Sequence, residues 1–260
     1  MTQTNSIESV AQQLLEAYTT LTPITPPRNL LPELDVNQAY RIQQLQEHER
    51  TVAGETIRGR KIGLTSIAMQ QQLGVDSPDF GFFTETMMYD ADRLIPVDSF
   101  ISPKVEPELG FLLAKDLSAT ATMADVIDAI EATFLAVEII DSRVADWDIH
   151  LVDTIADNAS CGAIILSQEP VDIPADQLAQ VSVSMKLNNN EVGSGTGTAV
   201  MGHPLKPLVW LAATLGAQGV KLSKGDIILT GSFCAAASIS AGDHLEVDYG
   251  NYGSLSVKFI

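Results

Sequence analysis

Apolar residues recur at helical spacing near the start of the chain. Ile7, Val10, Ala11, Leu14, Leu15 and Tyr18 share one face behind Ser6, a good N-cap. Four prolines (Pro23, Pro26, Pro27 and Pro32) then break the helix between Thr22 and Pro32. A second helix is predicted from Asp35, with Gln38 in the capping-box position, to about Ala53, and Gln43, Gln44, Gln46 and Glu47 form its polar outer face. The sequence thus predicts an N-terminal helical region over residues 1–55 and a separate, larger core over 56–260.

Beyond residue 55 the period changes. Arg60 to Leu64 reads as a short strand. Thr65 or Ser66 caps an expected helix from Ile67 to Leu73, which Gly74 ends, and Asp76 to Gly81 reads as a turn-rich loop. Lys104 to Ala114 is a strand. Thr122 and Asp125 form a capping-box pattern before a helix from Val126 to Thr133, and the strand Phe134 to Ile140 follows. Asp141 to Asp157 is polar and irregular, and Ala163 to Leu166 is apolar. Val181 to Leu187 alternates up to a hairpin turn at Asn188-Asn189-Asn190. A helix from Pro207 to Leu215 ends at Gly216. The strands Asp226 to Thr230, His244 to Tyr249 and Ser254 to Phe259 close the chain. Strands and helices do not alternate regularly, which argues against a doubly wound sheet. The expected class is α+β, a mixed or antiparallel β core with a few helices outside.

Charge narrows the partners. A formal net charge of −18 argues against nucleic acid and anionic membrane. A metal ion or lysine can still reverse the sign inside one cleft and admit a small anion. Two cysteines, Cys161 and Cys234, do not make a disulfide framework or a thiolate zinc site, and they fit a reducing compartment. With no signal peptide pattern and no apolar run long enough to span a bilayer, the expected location is the cytoplasm.

The candidate chemistry lies in the apolar strand Lys104 to Ala114. Glu106 and Glu108 stand at i and i+2, on one face of a strand, among Val105, Leu109 and Phe111. Two buried carboxylates need a positive partner. Glu138 sits in a second apolar run, and three carboxylates suit a hard divalent cation better than zinc. A half-exposed acidic strand face is the plainer reading of Glu-x-Glu. Lys61 is either a strand-edge charge or, if it enters the acidic cleft, a proton donor or carboxylate anchor. Asp79, Asp157 and Asn158 suit turns or caps. Ser160 beside Cys161 shows no partnered base, and no nucleophilic triad is evident among the four histidines. The run Gly193-Ser194-Gly195-Thr196-Gly197 lacks the helix and downstream acid of a dinucleotide site.

Several separate motifs follow one another in order along the chain. They are Gly59-Arg60-Lys61-Ile62-Gly63-Leu64-Thr65, Gln71-Gln72-Leu73-Gly74-Val75-Asp76, Pro78-Asp79-Phe80-Gly81 and Asp153-Thr154-Ile155-Ala156-Asp157-Asn158-Ala159-Ser160-Cys161. Gly202-His203-Pro204-Leu205, Gly225-Asp226-Ile227-Ile228-Leu229-Thr230-Gly231 and Tyr249-Gly250-Asn251-Tyr252-Gly253-Ser254 complete the set. Together they resemble the 2-hydroxypenta-2,4-dienoate (2-keto-4-pentenoate) hydratases of the fumarylacetoacetate hydrolase superfamily, and the resemblance implies a mixed β-sheet rolled into a barrel-like sandwich behind an N-terminal helical part. It implies Mg²⁺ or Mn²⁺ on Glu106, Glu108 and Glu138, acid/base roles for Lys61 and Asp79, and substrate contact near Asp157 and Ser160. Pro107 departs from the pattern and predicts a strand edge or bulge.

The implied substrate is a small 2-hydroxy-dienoic or 2-oxo acid, hydrated to 4-hydroxy-2-oxopentanoate in the catabolism of aromatic compounds. The implied assembly is a closed homo-oligomer, a pentamer or decamer, with room for a complex with a downstream aldolase or a decarboxylase. Three rival readings remain at this point: a 4-oxalocrotonate-type decarboxylase, a 2-oxohept-4-ene-1,7-dioate hydratase, and a non-catalytic partner that stabilises another catabolic enzyme. Asp79, where the resemblance suggests an apolar residue in the decarboxylase branch, favours the hydratase.

Overall fold

The structure, a computed structural model, describes residues 5–66, 70, 75, 77–91 and 93–260. Apart from Gln70, the expected helix from Ile67 to Leu73 lies outside the described residues. So does the motif from Gln71 to Asp76, apart from Val75.

Helix α1 (Ile7–Thr20) opens with a capping box between Ser6 and Ser9, and α3 (Val36–Val52) with one between Asp35 and Gln38. Between them the proline-rich stretch makes one turn, α2 (Pro27–Leu30), with Pro27 at its first position, where no N–H is needed. The polar face expected on α3 is partly an inner one. Gln43 and Gln46 are buried, and their amides donate to main-chain carbonyls: Gln43 to Phe80 (2.8 Å) and Ile155 (3.0 Å), Gln46 to Ala156 (2.7 Å). Glutamine polarity suggests exposure, but a buried amide that finds carbonyl partners is also stable. Val10, Leu14 and Ile42 join one apolar cluster with Val105, Leu109 and Val137, so helices and sheet share a core.

The larger sheet runs in the order β2 (Asp79–Thr84), β1 (Ile57–Gly63), β10 (Ile227–Leu229), β5 (Lys104–Leu113), β6 (Ile130–Ile140), β7 (Cys161–Leu166), β3 (Met88–Asp90). The short β11 (Ala237–Ser238) pairs with β5 beyond the end of β10. The smaller sheet runs β4 (Leu94–Ile95), β13 (Ser254–Phe259), β12 (His244–Asp248), β8 (Ser182–Leu187), β9 (Asn190–Thr196). Both parallel and antiparallel pairs occur, as a mixed α+β fold requires. The hairpin turn between β8 and β9 places Asn188 and Asn189 in the left-handed region, where asparagine is tolerated.

Strands β2 and β3 lie at opposite edges of the large sheet, yet only Glu85–Met87 (3 residues) join them. Laid flat, the edges would stand about 29 Å apart at about 4.8 Å per strand. The link reaches about 14 Å at most. The sheet must therefore curl into a half-barrel with a concave inner face.

Other boundaries differ from expectation. The helix after Thr122 is Met123–Ala129, because Ile130 to Thr133 pair with β5 instead of continuing it. Gly216 lies inside the helix Lys206–Ala217 and does not end it; a side chain there would overlap Ala119. Asp79 opens a strand and is not a turn residue. The irregular stretch contains the helix Leu151–Ala156. Pro107 keeps unbroken register with β6, opposite Val137, so there is no bulge. Its carbonyl accepts from Phe233 N (3.0 Å) on the side where β10 has ended and β11 has not begun. The missing N–H falls in that local gap.

Candidate active site and metal centre

Strand alternation puts Glu106 and Glu108 on one face of β5, and register places Glu138 of β6 directly opposite Glu106. One oxygen from each of the three carboxylates lies within 4.8 Å of the others. Glu108 Oε2 accepts from Gly231 N (2.8 Å). Glu138 is fully buried, and neither of its oxygens accepts a hydrogen bond among the described residues. Lys61 of β1 is 3% exposed. Its Nζ lies 3.2 Å from Glu138 Oε1 as an ion pair and donates to the Ala159 carbonyl at 2.9 Å.

Three carboxylates and one ammonium leave a buried excess of two negative charges. A divalent cation would balance that charge and give the Glu138 carboxylate a partner beyond the Lys61 ion pair. The all-oxygen donor set suits a hard ion. The residues present therefore fit a metal held by Glu106, Glu108 and Glu138. Without it, each carboxyl is harder to ionise. Burial pushes Glu138 up to about 7, Lys61 opposing and Glu106 adding to the rise. Burial likewise raises Glu106, against the pull of Lys61, and raises Glu108 strongly, helped by the charges of Glu138 and Glu106. For Lys61 burial works downward, but Glu138, Asp79 and Glu106 outweigh it and keep the ammonium charged.

Asp79 is 1% exposed and pairs in register with Gly63. Its Oδ2 accepts from the Thr154 hydroxyl (3.0 Å), while Oδ1 has no hydrogen bond among the described residues. A methyl group at Gly63 would overlap Asp79 Oδ1, so glycine makes room for that oxygen. Burial raises the Asp79 carboxyl, against Lys61 and Thr154.

A cavity of about 680 Å³ opens on Lys61, Asp79, Glu106, Thr154 and Ser160. Asp157 does not line it. That carboxylate is buried beneath, where it accepts from Arg143 Nε (2.6 Å), Arg143 N (3.1 Å) and the hydroxyls of Ser142 and Ser160. Burial pushes Asp157 up to about 6, against the Arg143 charge. Asn158, Ala159 and Ser160 all adopt left-handed backbone conformations. For alanine and serine this costs on the order of 1 kcal/mol each. The turn delivers the Ala159 carbonyl to Lys61 and the Ser160 hydroxyl to the cavity wall.

The sequence gives no site role to Lys104, Thr154, Arg143 or Gln43, although Thr154 falls in one of the quoted motifs and Gln43 on the expected polar helix face. Lys104 was within reach of strand alternation: it stands two residues before Glu106, on the same face. Its Nζ lies 4.1 Å from the Trp147 ring centroid, both side chains line the cavity, and the ammonium has no hydrogen bond or ion pair among the described residues. Nothing in the sequence marks Arg143 as fully buried.

A half-barrel that brings three carboxylates together, with Glu106, Lys61 and Asp79 open to one cavity, has the make-up of a metal-binding enzyme. The sequence profile of the fumarylacetoacetate (FAA) hydrolase C-terminal family matches residues 59–260, and the chain belongs to that family. It is 39% identical to the 2-keto-4-pentenoate hydratase of Paraburkholderia xenovorans (strain LB400) over 253 residues, 97% of this chain and 94% of that one. It is 37% identical to the 2-hydroxyhexa-2,4-dienoate hydratase of Comamonas testosteroni, covering 100% of this chain and 99% of that one. The 4-oxalocrotonate decarboxylase from Pseudomonas putida G7, solved with magnesium and adipate, superposes with a TM-score of 0.93 at 31% identity over 98% of this chain and 97% of that one.

Proposed function

We propose that this protein is a hydro-lyase of the 2-keto-4-pentenoate hydratase type, which adds water to 2-hydroxypenta-2,4-dienoate to give 4-hydroxy-2-oxopentanoate. The observation that carries this reading is Asp79. It is buried, with one oxygen held by Thr154 and the other without a hydrogen bond among the described residues, at the same cavity as Lys61 and Glu106. Water addition needs such a proton carrier, whereas decarboxylation needs no base to activate water. The hydratase names of relatives at 37–39% identity over nearly the whole chain support the same reading.

Glu106, Glu108 and Glu138 would hold Mg²⁺ or Mn²⁺. When bound, the ion supplies Lewis-acid polarisation of the substrate's oxygen at C2. The chain's own groups move the protons. The 2-hydroxyl gives up its proton and C5 gains one, forming the 2-oxo-3-enoate. Water oxygen then bonds to C4, and the proton it releases is matched by one delivered to C3. Asp79 takes and returns protons through Oδ1. Lys61, kept as an ammonium, donates and holds negative charge near the reacting oxygens. Lys104 gives the substrate carboxylate a cation at the cavity wall, and Ser160 offers a hydroxyl there. Asp157, held by Arg143, serves this site through the turn that follows it.

No helix among the described residues is long and apolar enough to cross a membrane. We place the enzyme in the cytoplasm, as a homo-oligomer in aromatic-compound catabolism. The test is loss of the dienoate ultraviolet absorbance with metal-stripped protein, before and after adding Mg²⁺ or Mn²⁺. Metal-dependent loss supports the reading; no turnover with metal bound refutes it.

A further inference from the structure

The side chains that orient Asp79 come from two places, one of them the N-terminal region that precedes the matched family segment at residue 59. Thr154 Oγ1 donates to Asp79 Oδ2 (3.0 Å). Gln43 Nε2, from the buried face of α3, donates both to the Phe80 carbonyl (2.8 Å) and to the Ile155 carbonyl (3.0 Å). Phe80 follows Asp79 in the chain, and Ile155 follows Thr154. One amide therefore ties the strand that carries Asp79 to the helix that carries Thr154.

Two further ties fix that helix, and a third fixes the turn after it. Gln46 Nε2 donates to the Ala156 carbonyl (2.7 Å), Arg28 pairs with Asp153, and the Asn158 amide brackets Phe82, accepting from its N–H and donating to its carbonyl at 2.8 Å each. A carboxylate whose two oxygens differ only in their partners can rotate and exchange them. Here the hydroxyl holds Oδ2, and Oδ1 points over Gly63, the position where any larger side chain would strike it.

We propose that Gln43 and Thr154 are positioning residues for Asp79, a clamp that holds Oδ2 and presents Oδ1 as the proton-carrying atom. The N-terminal helices are then part of the catalytic apparatus. This rests on the reading of Asp79 as the proton carrier.

The test uses the full chain with Mn²⁺ and follows two rates: dienoate hydration, and uptake of solvent deuterium at C3 of 2-oxobutanoate. The second reports proton transfer without water addition. Thr154→Val should lower kcat and the exchange rate about 10- to 100-fold, the effect expected for losing a hydrogen bond to a charged group. KM and Mn²⁺ affinity, read by electron paramagnetic resonance, should stay within about two-fold. Thr154→Ser should restore most of the loss. Gln43→Met should lower both rates in the same direction, with Mn²⁺ affinity kept. If Gln43→Met does not fold, Thr154→Val and its serine rescue decide alone. Exchange and kcat at the wild-type level in Thr154→Val would overturn the clamp, as would failure of serine to rescue. Exchange without any hydration by the wild type would instead refute the hydratase reading, and the clamp would still be judged on the exchange rates.

Discussion

The metal-free site should make the protein less stable as pH rises, and bound metal should remove that dependence. In the folded metal-free chain, Glu106, Glu108 and Glu138 bind protons more tightly than exposed carboxylates, chiefly through burial, and Glu138 is pushed up to about 7. Above the ordinary carboxylate range the folded state therefore holds more protons than the unfolded state, and stability falls with rising pH. The share due to Glu138 begins to be lost near 4.5 and is gone once that carboxyl has ionised, near 7. At about 1.4 kcal/mol per pH unit, that interval is worth on the order of 3 kcal/mol from Glu138 alone. Asp79 contributes with the same sign, since burial raises it too. Lys61, raised from an already high value, does not titrate in this window. For a chain of this size 3 kcal/mol corresponds to about 6 to 10 °C in Tm. Mg²⁺ requires ionised ligands, so its stabilisation grows as protons leave. Scanning calorimetry from about pH 5 to about pH 8, with chelator or with saturating Mg²⁺, should show the gap in Tm opening by that amount. A gap that is constant, or that closes as pH rises, would refute both the buried-carboxylate electrostatics and the assignment of the metal ligands.

Further substitutions test separate parts of the site. Glu108→Gln should abolish Mg²⁺-dependent turnover and weaken Mg²⁺ binding at least about 10-fold while the circular dichroism spectrum is kept; an unfolded variant would mean the carboxylate is structural. Asp79→Asn should lower kcat at least about 100-fold with metal affinity unchanged, and wild-type turnover would remove Asp79 from the chemistry. Lys104→Met should raise KM about 10-fold with little change in kcat, and an unchanged KM would show that its ammonium does not meet the substrate carboxylate.

Much of this site was legible because strand alternation is strict. Glu106 and Glu108 at i and i+2 had to share a face, and an apolar setting made that face a buried one. The N-caps at Ser6, Asp35 and Thr122 were equally readable, because capping is local chemistry. What the sequence hid depends on tertiary pairing. Ile130 to Thr133 read as helix, but β5 recruits them into β6. Asp79 read as a turn former, yet it opens a strand opposite Gly63. Gln43 and Gln46 read as solvent-facing, because no sequence pattern shows which carbonyls lie opposite. Arg143 and Asp157 neutralise each other in the interior, and only the fold brings them together.

Metal-dependent hydration is tested most directly by the product formed from 2-hydroxypenta-2,4-dienoate and Mg²⁺ in deuterated water, followed by nuclear magnetic resonance. The expected product is 4-hydroxy-2-oxopentanoate carrying solvent deuterium at C3 and C5, formed only with metal. Untouched dienoate in the presence of bound Mg²⁺, or a 2-oxo product lacking the hydroxyl at C4, would contradict it.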